Sequence, residues 1–461
     1  MRTACLALIL ATLAHAADFH SGQAARAVIG QSSFSAREAG VVAHALSLTH
    51  GRLYAAEANR LLTFDVTKTC ALCGFAPLAV ANQVVTRGAA TVAVWGKSLV
   101  AADAANHRVL IWRSTTPNPG AIGAKLPDVL LNVADPVSVA YDGHRLFVGD
   151  AAQHHVLVWN GLPSSDDQAA DAVLGKTDSS FVDAATIGTP AALISDGTNL
   201  FVADTDNRRI LVFAPGDLAL AEDAIVNSAS LLASPVAPGS LITIRAPGMA
   251  SESETADAAG SDPLPTRLAD AEVYLNGTPL PLLSVSPEEI QAQIPFDFGG
   301  TTAGSLYIQT STLTTTAAGV QIAAAAPGIF AVGATEPRSG LLLHGGNMQD
   351  AEGGPASGVP ISAENPAKPS ETLTVWASGL GSVGEGDGRS TDGDTLLPVS
   401  ALVNGEPAQV LSARLPKGVV GIYEVAVTLP ANLGDSDEVR LQLVENAALS
   451  NTVTIPVKAL P

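Results

Sequence analysis

The chain has 461 residues, too many for one ordinary domain and suited to two to four. Its 44 acidic residues outnumber 24 basic ones, giving a net charge of −20 that repels phosphate, so nucleic acid and anionic lipid are excluded as partners. Only 15% of residues are charged, glycine and proline number 42 and 29, and no long helical pattern is present; this composition predicts turn-rich, all-β structure.

Residues 1–16 read as a secretory signal peptide. Arg2 supplies the positive start, Leu6 to Leu13 the apolar core, and Ala14-His15-Ala16 a small-x-small cleavage site. That core is too short to span a bilayer, and no later run approaches the roughly 20 apolar residues of a spanning helix. Cys5 precedes the apolar core, so it is not a lipoprotein cysteine. The expected address is extracellular or at the cell surface, with the periplasm an alternative.

From residue 17 to 218 one pattern recurs. Asp103-Ala104-Ala105-Asn106-His107-Arg108-Val109-Leu110-Ile111-Trp112 returns as Asp150 to Trp159, as Asp204 to Phe213 and, in shortened form, as Glu57 to Phe64. The opening acids Glu57, Asp103, Asp150 and Asp204 are spaced by 46, 47 and 54 residues, a period of propellers or solenoids. A short apolar strand precedes each acid, and Asp142-Gly143 and Asp196-Gly197 mark hairpin turns further upstream. Each unit is therefore read as about four short strands. The acids are expected to accept turn N–H bonds, with Asn106, Gln153 and Asn207 assisting, and Arg108 and Arg209 to pair with acids of the same or a neighbouring unit. Because these residues recur in every unit, they are read as scaffold and no catalytic residue is assigned.

These motifs, with Ala27-Val28-Ile29-Gly30-Gln31 and Ala172-Val173-Leu174-Gly175, resemble the NHL repeat over residues 24–214. The resemblance implies a β-propeller; four units are counted where the family more often has six. Closure into a small ring is expected, with an axial funnel as the binding place. Between the first two units, Cys70 and Cys73 form a C-x-x-C loop. In an oxidising compartment a short-loop disulfide is the favoured reading; redox chemistry lacks the βαβ setting, and zinc lacks two further ligands.

The second half carries a different duplication. Pro238–Met249 matches Pro369–Leu380, Val273–Pro279 matches Ala401–Pro407, and Gln291–Pro295 matches the segment ending at Pro430. Val439, Leu441 and Leu443 alternate with Glu438, Arg440 and Gln442, as in a strand with one buried face. Asn276-Gly277 and Asn404-Gly405 signal tight hairpins. Two tandem immunoglobulin-like β-sandwich modules are predicted, at 222–335 and 336–461, after a propeller at 17–218. Val236–Ser240, Leu283–Phe296, Ala326–Phe330, Glu364–Ala367, Ala377–Gly381 and Gly421–Val425 resemble the Solibacter-type C-terminal domain of large secreted bacterial proteins. That resemblance implies export and a stalk, anchor or recognition role, and no catalytic activity.

Several catalytic-looking signals fail on context. Gly379-x-Gly381-x-x-Gly384 lacks the helix that a dinucleotide site needs. Lys176-Thr177 ends a phosphate-loop-like run that has Ala170 where the first glycine belongs. The acidic loop Glu385–Asp394 suits calcium only weakly, because Arg389 occupies a ligand position; it is read as a solvated hairpin, and no cofactor is assigned. His44, His50, His107, His144, His154 and His155 form no metal-binding pair in sequence. The expected function is an exported, non-enzymatic binding or scaffold protein for an extracellular protein or carbohydrate, with no membrane span. A propeller-based metal-dependent hydrolase or lyase and a structural cell-surface protein are the alternatives. Convergence of His or Asp from three or more units on one point distinguishes the enzyme.

Overall fold

A computed structural model describes residues 17–37, 40–49, 52–57, 61–65, 79–81, 92–95, 97–113, 126–176, 181–233, 235–257, 264–297, 300–333, 335–345, 358–384 and 392–459. Among these the fold is all-β, and helical residues are confined to 3-10 turns at Ala104–Asn106 and Glu222–Ala224. No helix among the described residues is long and apolar enough to cross a membrane.

The repeat half builds four antiparallel four-stranded sheets. The chain first lays down β1 (Ala27–Ile29) and then β2 (Ala45–Thr49), β3 (Arg52–Ala56), β4 (Leu61–Asp65) and β5 (Ala79–Ala81), of which β2 to β5 form the first sheet. The second sheet is β6 (Val92–Trp95), β7 (Ser98–Asp103), β8 (Arg108–Trp112) and β9 (Val129–Asn132). The third is β10 (Pro136–Tyr141), β11 (Leu146–Asp150), β12 (His155–Trp159) and β13 (Ala172–Leu174). The fourth has β14 (Pro190–Ser195), β15 (Leu200–Asp204) and β16 (Arg209–Phe213), and its fourth place is taken by β1, which pairs antiparallel with β16. The start of the described chain thus completes the last sheet of the repeat. Ala27-Val28-Ile29-Gly30 and Ala172-Val173-Leu174-Gly175 look alike because both are outermost strands ending in a glycine at positive φ. Strand β10 packs against β6 and β14, and β14 against β2, so the fourth sheet adjoins the first as well as the third.

Apolar alternation builds the interior. Strands β12 and β16 put Val156, Val158, Leu211 and Phe213 into one core with Phe147 and Leu174. Phe19, from the segment before β1, enters the same core and meets Phe147 edge-on at 5.5 Å between ring centroids. Ala303 and Ala317 of the second half belong to it too, so the halves share buried surface.

After residue 224, two antiparallel sheets share a core that includes Ile242, Ile244, Val273, Leu275, Ile290 and Ile308. The next unit, residues 328–457, is built round Val375, Tyr423, Val425, Leu441, Leu443 and Ile455. Its long strand Glu406–Leu415 pairs with Val399–Val403 at one end and Tyr423–Thr428 at the other, across an irregularity between Val410 and Ser412. Gly328–Ile329 and Ala331–Val332 pair with strands of this unit.

The duplication is visible in the turns. Asn276-Gly277 and Asn404-Gly405 both have positive φ at both residues, the backbone that matches a two-residue hairpin to twisted strands. In both, the asparagine Oδ1 accepts a backbone N–H from a neighbouring strand: Ser305 at 2.8 Å and Arg440 at 2.9 Å.

Candidate functional site

The acids of the repeat are structural anchors. Glu57, Asp150 and Asp204 each accept a backbone N–H from the lead-in to their own sheet: Val42 at 2.9 Å, Asp135 at 3.0 Å and Gly188 at 2.9 Å. Asp103 and Asp204 also accept their asparagines, Asn106 and Asn207, and their arginines, with Nε at 2.8 Å in both. The arginines therefore pair within their own sheet. Their surroundings differ. The Arg108 side chain is 37% exposed, whereas Arg209 and Asp204 are fully buried. Nη1 of Arg209 donates to the carbonyls of Phe34 and Asp183, and Nη2 to the carbonyl of Thr186 at 2.6 Å. Burial pulls the Arg209 pKa below the usual guanidinium value, and Asp204 opposes that.

The turn residue four positions after each acid joins one sheet to the next. His107, His154 and Arg208 all have positive φ, near 55°. His107 Nδ1 contacts the carbonyl of Ala134 and His154 Nδ1 that of Gly188 at 2.9 Å, each on the lead-in to the following sheet. For Arg208 the following sheet is the first one: its carbonyl accepts Val41 N–H at 2.9 Å and Gln31 Nε2 at 3.1 Å. These contacts run from second sheet to third, third to fourth, and fourth to first. Positive φ disfavours most residues but is tolerated where a polar side chain or carbonyl is held, as here.

The other sequence signals resolve into packing or fall elsewhere. Gly379 and Gly381 have positive φ, and a Cβ at either would strike the carbonyl of Ala326 or Ala324. That close approach, together with the Ala326 N–H donated to Gly379, accounts for both glycines without a cofactor. His44 and His144 are exposed, and among the described residues no group of three or more His, Cys, Asp or Glu is placed to hold a metal. Cys70, Cys73, His50, the signal segment 1–16 and most of the acidic loop 385–391 lie outside the described residues.

The concave surface that stands out lies at the seam between the repeat half and residues 225–321. Arg26 Nη2 donates to Thr315 O at 2.9 Å and stacks over Tyr307, itself stacked on Tyr274 at 5.0 Å. Ala24 pairs with Ala317, and Leu218 with Thr315. Beside these contacts two basins, of about 360 and about 410 Å³, share Asp183, Pro235 and Gln321 in their walls. The smaller holds Glu222 and Asp223 with Lys176, whose ammonium contacts Glu222 and lies 3.6 Å from Asp183. The larger is lined by Phe181, Arg37, Ser35 and Thr302. No periodic motif marks these residues, because they come from inter-strand segments and strand ends of both halves, such as Gln321 at the end of the strand Ala318–Gln321.

No family model matches the chain, and no curated protein does. Among solved structures it is similar, at 12% identity and a TM-score of 0.23, to SGBP-B of the Bacteroides ovatus mixed-linkage glucan utilization locus in complex with a mixed-linkage heptasaccharide; the likeness covers 57% of this chain and 52% of that one. Myxococcus xanthus glutaminyl cyclase is similar at 12% identity over 42% of this chain and 91% of that one, with a TM-score of 0.20. Kuenenia stuttgartiensis hydrazine synthase is similar at 13% identity over 58% and 74%, with a TM-score of 0.19. Likenesses of this size assign neither family nor activity.

Proposed function

We propose that the chain is an exported binding protein without catalytic activity, in which an NHL-type β-propeller recognises an extracellular protein or carbohydrate. The two units that follow are immunoglobulin-like modules of the Solibacter type and serve as a docking or spacing unit. The observation that carries this reading is the use of the repeated polar residues. Asp103, Asp204, Arg108 and Arg209 bond one another, while His107 and His154 hold main-chain carbonyls of the next sheet. A propeller-based metal enzyme would draw on His and Asp, and the hydrogen bonds of Asp103, Asp204, His107 and His154 serve the scaffold. The contacts from second sheet to third, third to fourth and fourth to first, with β1 completing the fourth sheet, support a four-bladed ring. Export follows from the signal segment, and an oxidised Cys70–Cys73 pair from the compartment.

The test is to probe the purified mature chain, residues 17–461, against arrays of glycans and secreted proteins, with calcium and with a chelator. Saturable binding to a glycan or protein, unchanged by the chelator, is expected. Conversion of an arrayed substrate by the protein would favour the metal-dependent hydrolase or lyase instead.

A further inference from the structure

We propose that the groove of about 410 Å³ at the seam is a binding site for a neutral oligosaccharide or the neutral chain of a polysaccharide. This rests on the reading of the chain as a binding protein and places its ligand at the seam between the two halves.

The chemistry of the walls points to that class. Phe181 is an exposed aromatic, 63% accessible, at the groove. An aromatic side chain exposed at a groove offers apolar surface to the C–H face of a sugar ring. Around it stand the exposed Gln321 amide, the Ser35 and Thr302 hydroxyls and the exposed Arg37 guanidinium, while Asp183 in the same wall is buried, its carboxylate accepting the Ala185 and Thr186 N–H groups. They supply the donors and acceptors that a rim of sugar hydroxyls needs, on a concave surface at a junction where ligand sites concentrate. The adjoining basin shares Asp183 and adds Glu222 and Asp223 against the single Lys176, so an anionic chain such as a polyuronate is repelled there.

The groove is also held in shape from below. Arg209 is the repeat arginine that departs from its counterpart Arg108 in burial, and its guanidinium binds the carbonyls of Phe34, Asp183 and Thr186. Those carbonyls belong to the two loops that present Ser35 and Arg37 on one side and Phe181 on the other. Thr302 closes the wall from the second half, its hydroxyl donating to Ser35 Oγ at 2.8 Å. Fixing the loops before binding lowers the ordering cost of capture.

Affinity electrophoresis of the full mature chain through gels containing hydroxyethylcellulose, dextran or galactomannan, with polygalacturonate as the anionic counterpart, tests the inference. At least one neutral polymer is expected to retard the wild type and polygalacturonate is not. Phe181→Ala weakens that retardation about tenfold or more, and Gln321→Ala weakens it too. Trp95→Ala, which removes a similarly exposed aromatic outside the groove, leaves it unchanged. Both groove side chains are exposed, so unchanged melting midpoints accompany the loss. Retardation that survives Phe181→Ala and Gln321→Ala overturns the groove and leaves the binding-protein reading intact. Indifference to every neutral polymer overturns the ligand class, as does capture of a peptide in its place. Shortening of a polymer by the protein would instead overturn the binding-protein reading itself.

Discussion

Replacing Glu445 by glutamine is expected to flatten the fall of stability with pH. Glu445 continues the inward row Val439, Leu441, Leu443 at the end of the strand Ser436–Glu445 and is fully buried. Neither carboxyl oxygen has a hydrogen-bond partner among the described residues, and the Tyr423 hydroxyl nearby donates to the carbonyl of Gly381. Burial without a partner penalises the anion and pushes the Glu445 carboxyl from 4.5 up to about 8. Between those values the folded chain keeps a proton that the unfolded chain releases. Stability from this group is thus fully present below about pH 4.5 and declines by about 1.4 kcal/mol per pH unit until about pH 8. By pH 7 the accumulated loss is about 3 kcal/mol, while glutamine, matched in shape and uncharged, loses nothing by this route. Urea unfolding of wild type and Glu445→Gln at about pH 5, 6, 7 and 8 measures the difference, other titrating groups cancelling between the two proteins. The wild type should lose ground to the variant steadily over that range. Parallel profiles would refute the reasoning, since they would mean that Glu445 is ionised and solvated in the folded chain.

Arg209→Met is expected to cost about 3–5 kcal/mol in urea unfolding, because it strands Asp204 as an unpaired buried charge; Arg108→Met, at a partly exposed pair, should cost no more than about 1 kcal/mol in the same assay. Equal losses from the two would contradict the difference in burial. Phe19→Ala empties a buried site against Phe147 and should cost about 3–5 kcal/mol, read as a lowered melting midpoint; a neutral outcome would mean that the segment before β1 is not part of the core. Thiol titration of the denatured mature chain should find Cys70 and Cys73 unreactive until a reductant is added, and two free thiols beforehand would remove the disulfide.

Much of the fold was legible in the residues. The recurrence of Glu57, Asp103, Asp150 and Asp204 located four similar sheets, because a turn needing the same anchor calls for the same side chain each time. Asn276-Gly277 and Asn404-Gly405 located two hairpins through the backbone they tolerate. The partnership of β1 with β16 joins residues some 180 positions apart, and no local pattern encodes such a pairing. Its trace was present nonetheless in the likeness of Ala27–Gly30 to Ala172–Gly175. Glu445 was likewise predictable by extending the inward row of Val439, Leu441 and Leu443 by one step. The seam was not legible. Arg108 and Arg209 occupy equivalent places in the repeat, and only the loops that fold over the fourth sheet bury one and leave the other partly exposed. Phe181, Arg37, Thr302 and Gln321 lie far apart in the chain, and packing of the two halves brings them to one groove.

On the proposed function, this chain binds its ligand without transforming it. The most direct measurement is to titrate the mature protein calorimetrically with the glycan or protein recovered from the arrays, and then to examine that ligand after prolonged incubation with calcium present. Stoichiometric heat that saturates, followed by recovery of the ligand intact, is the predicted result. Product exceeding the amount of protein present would contradict it.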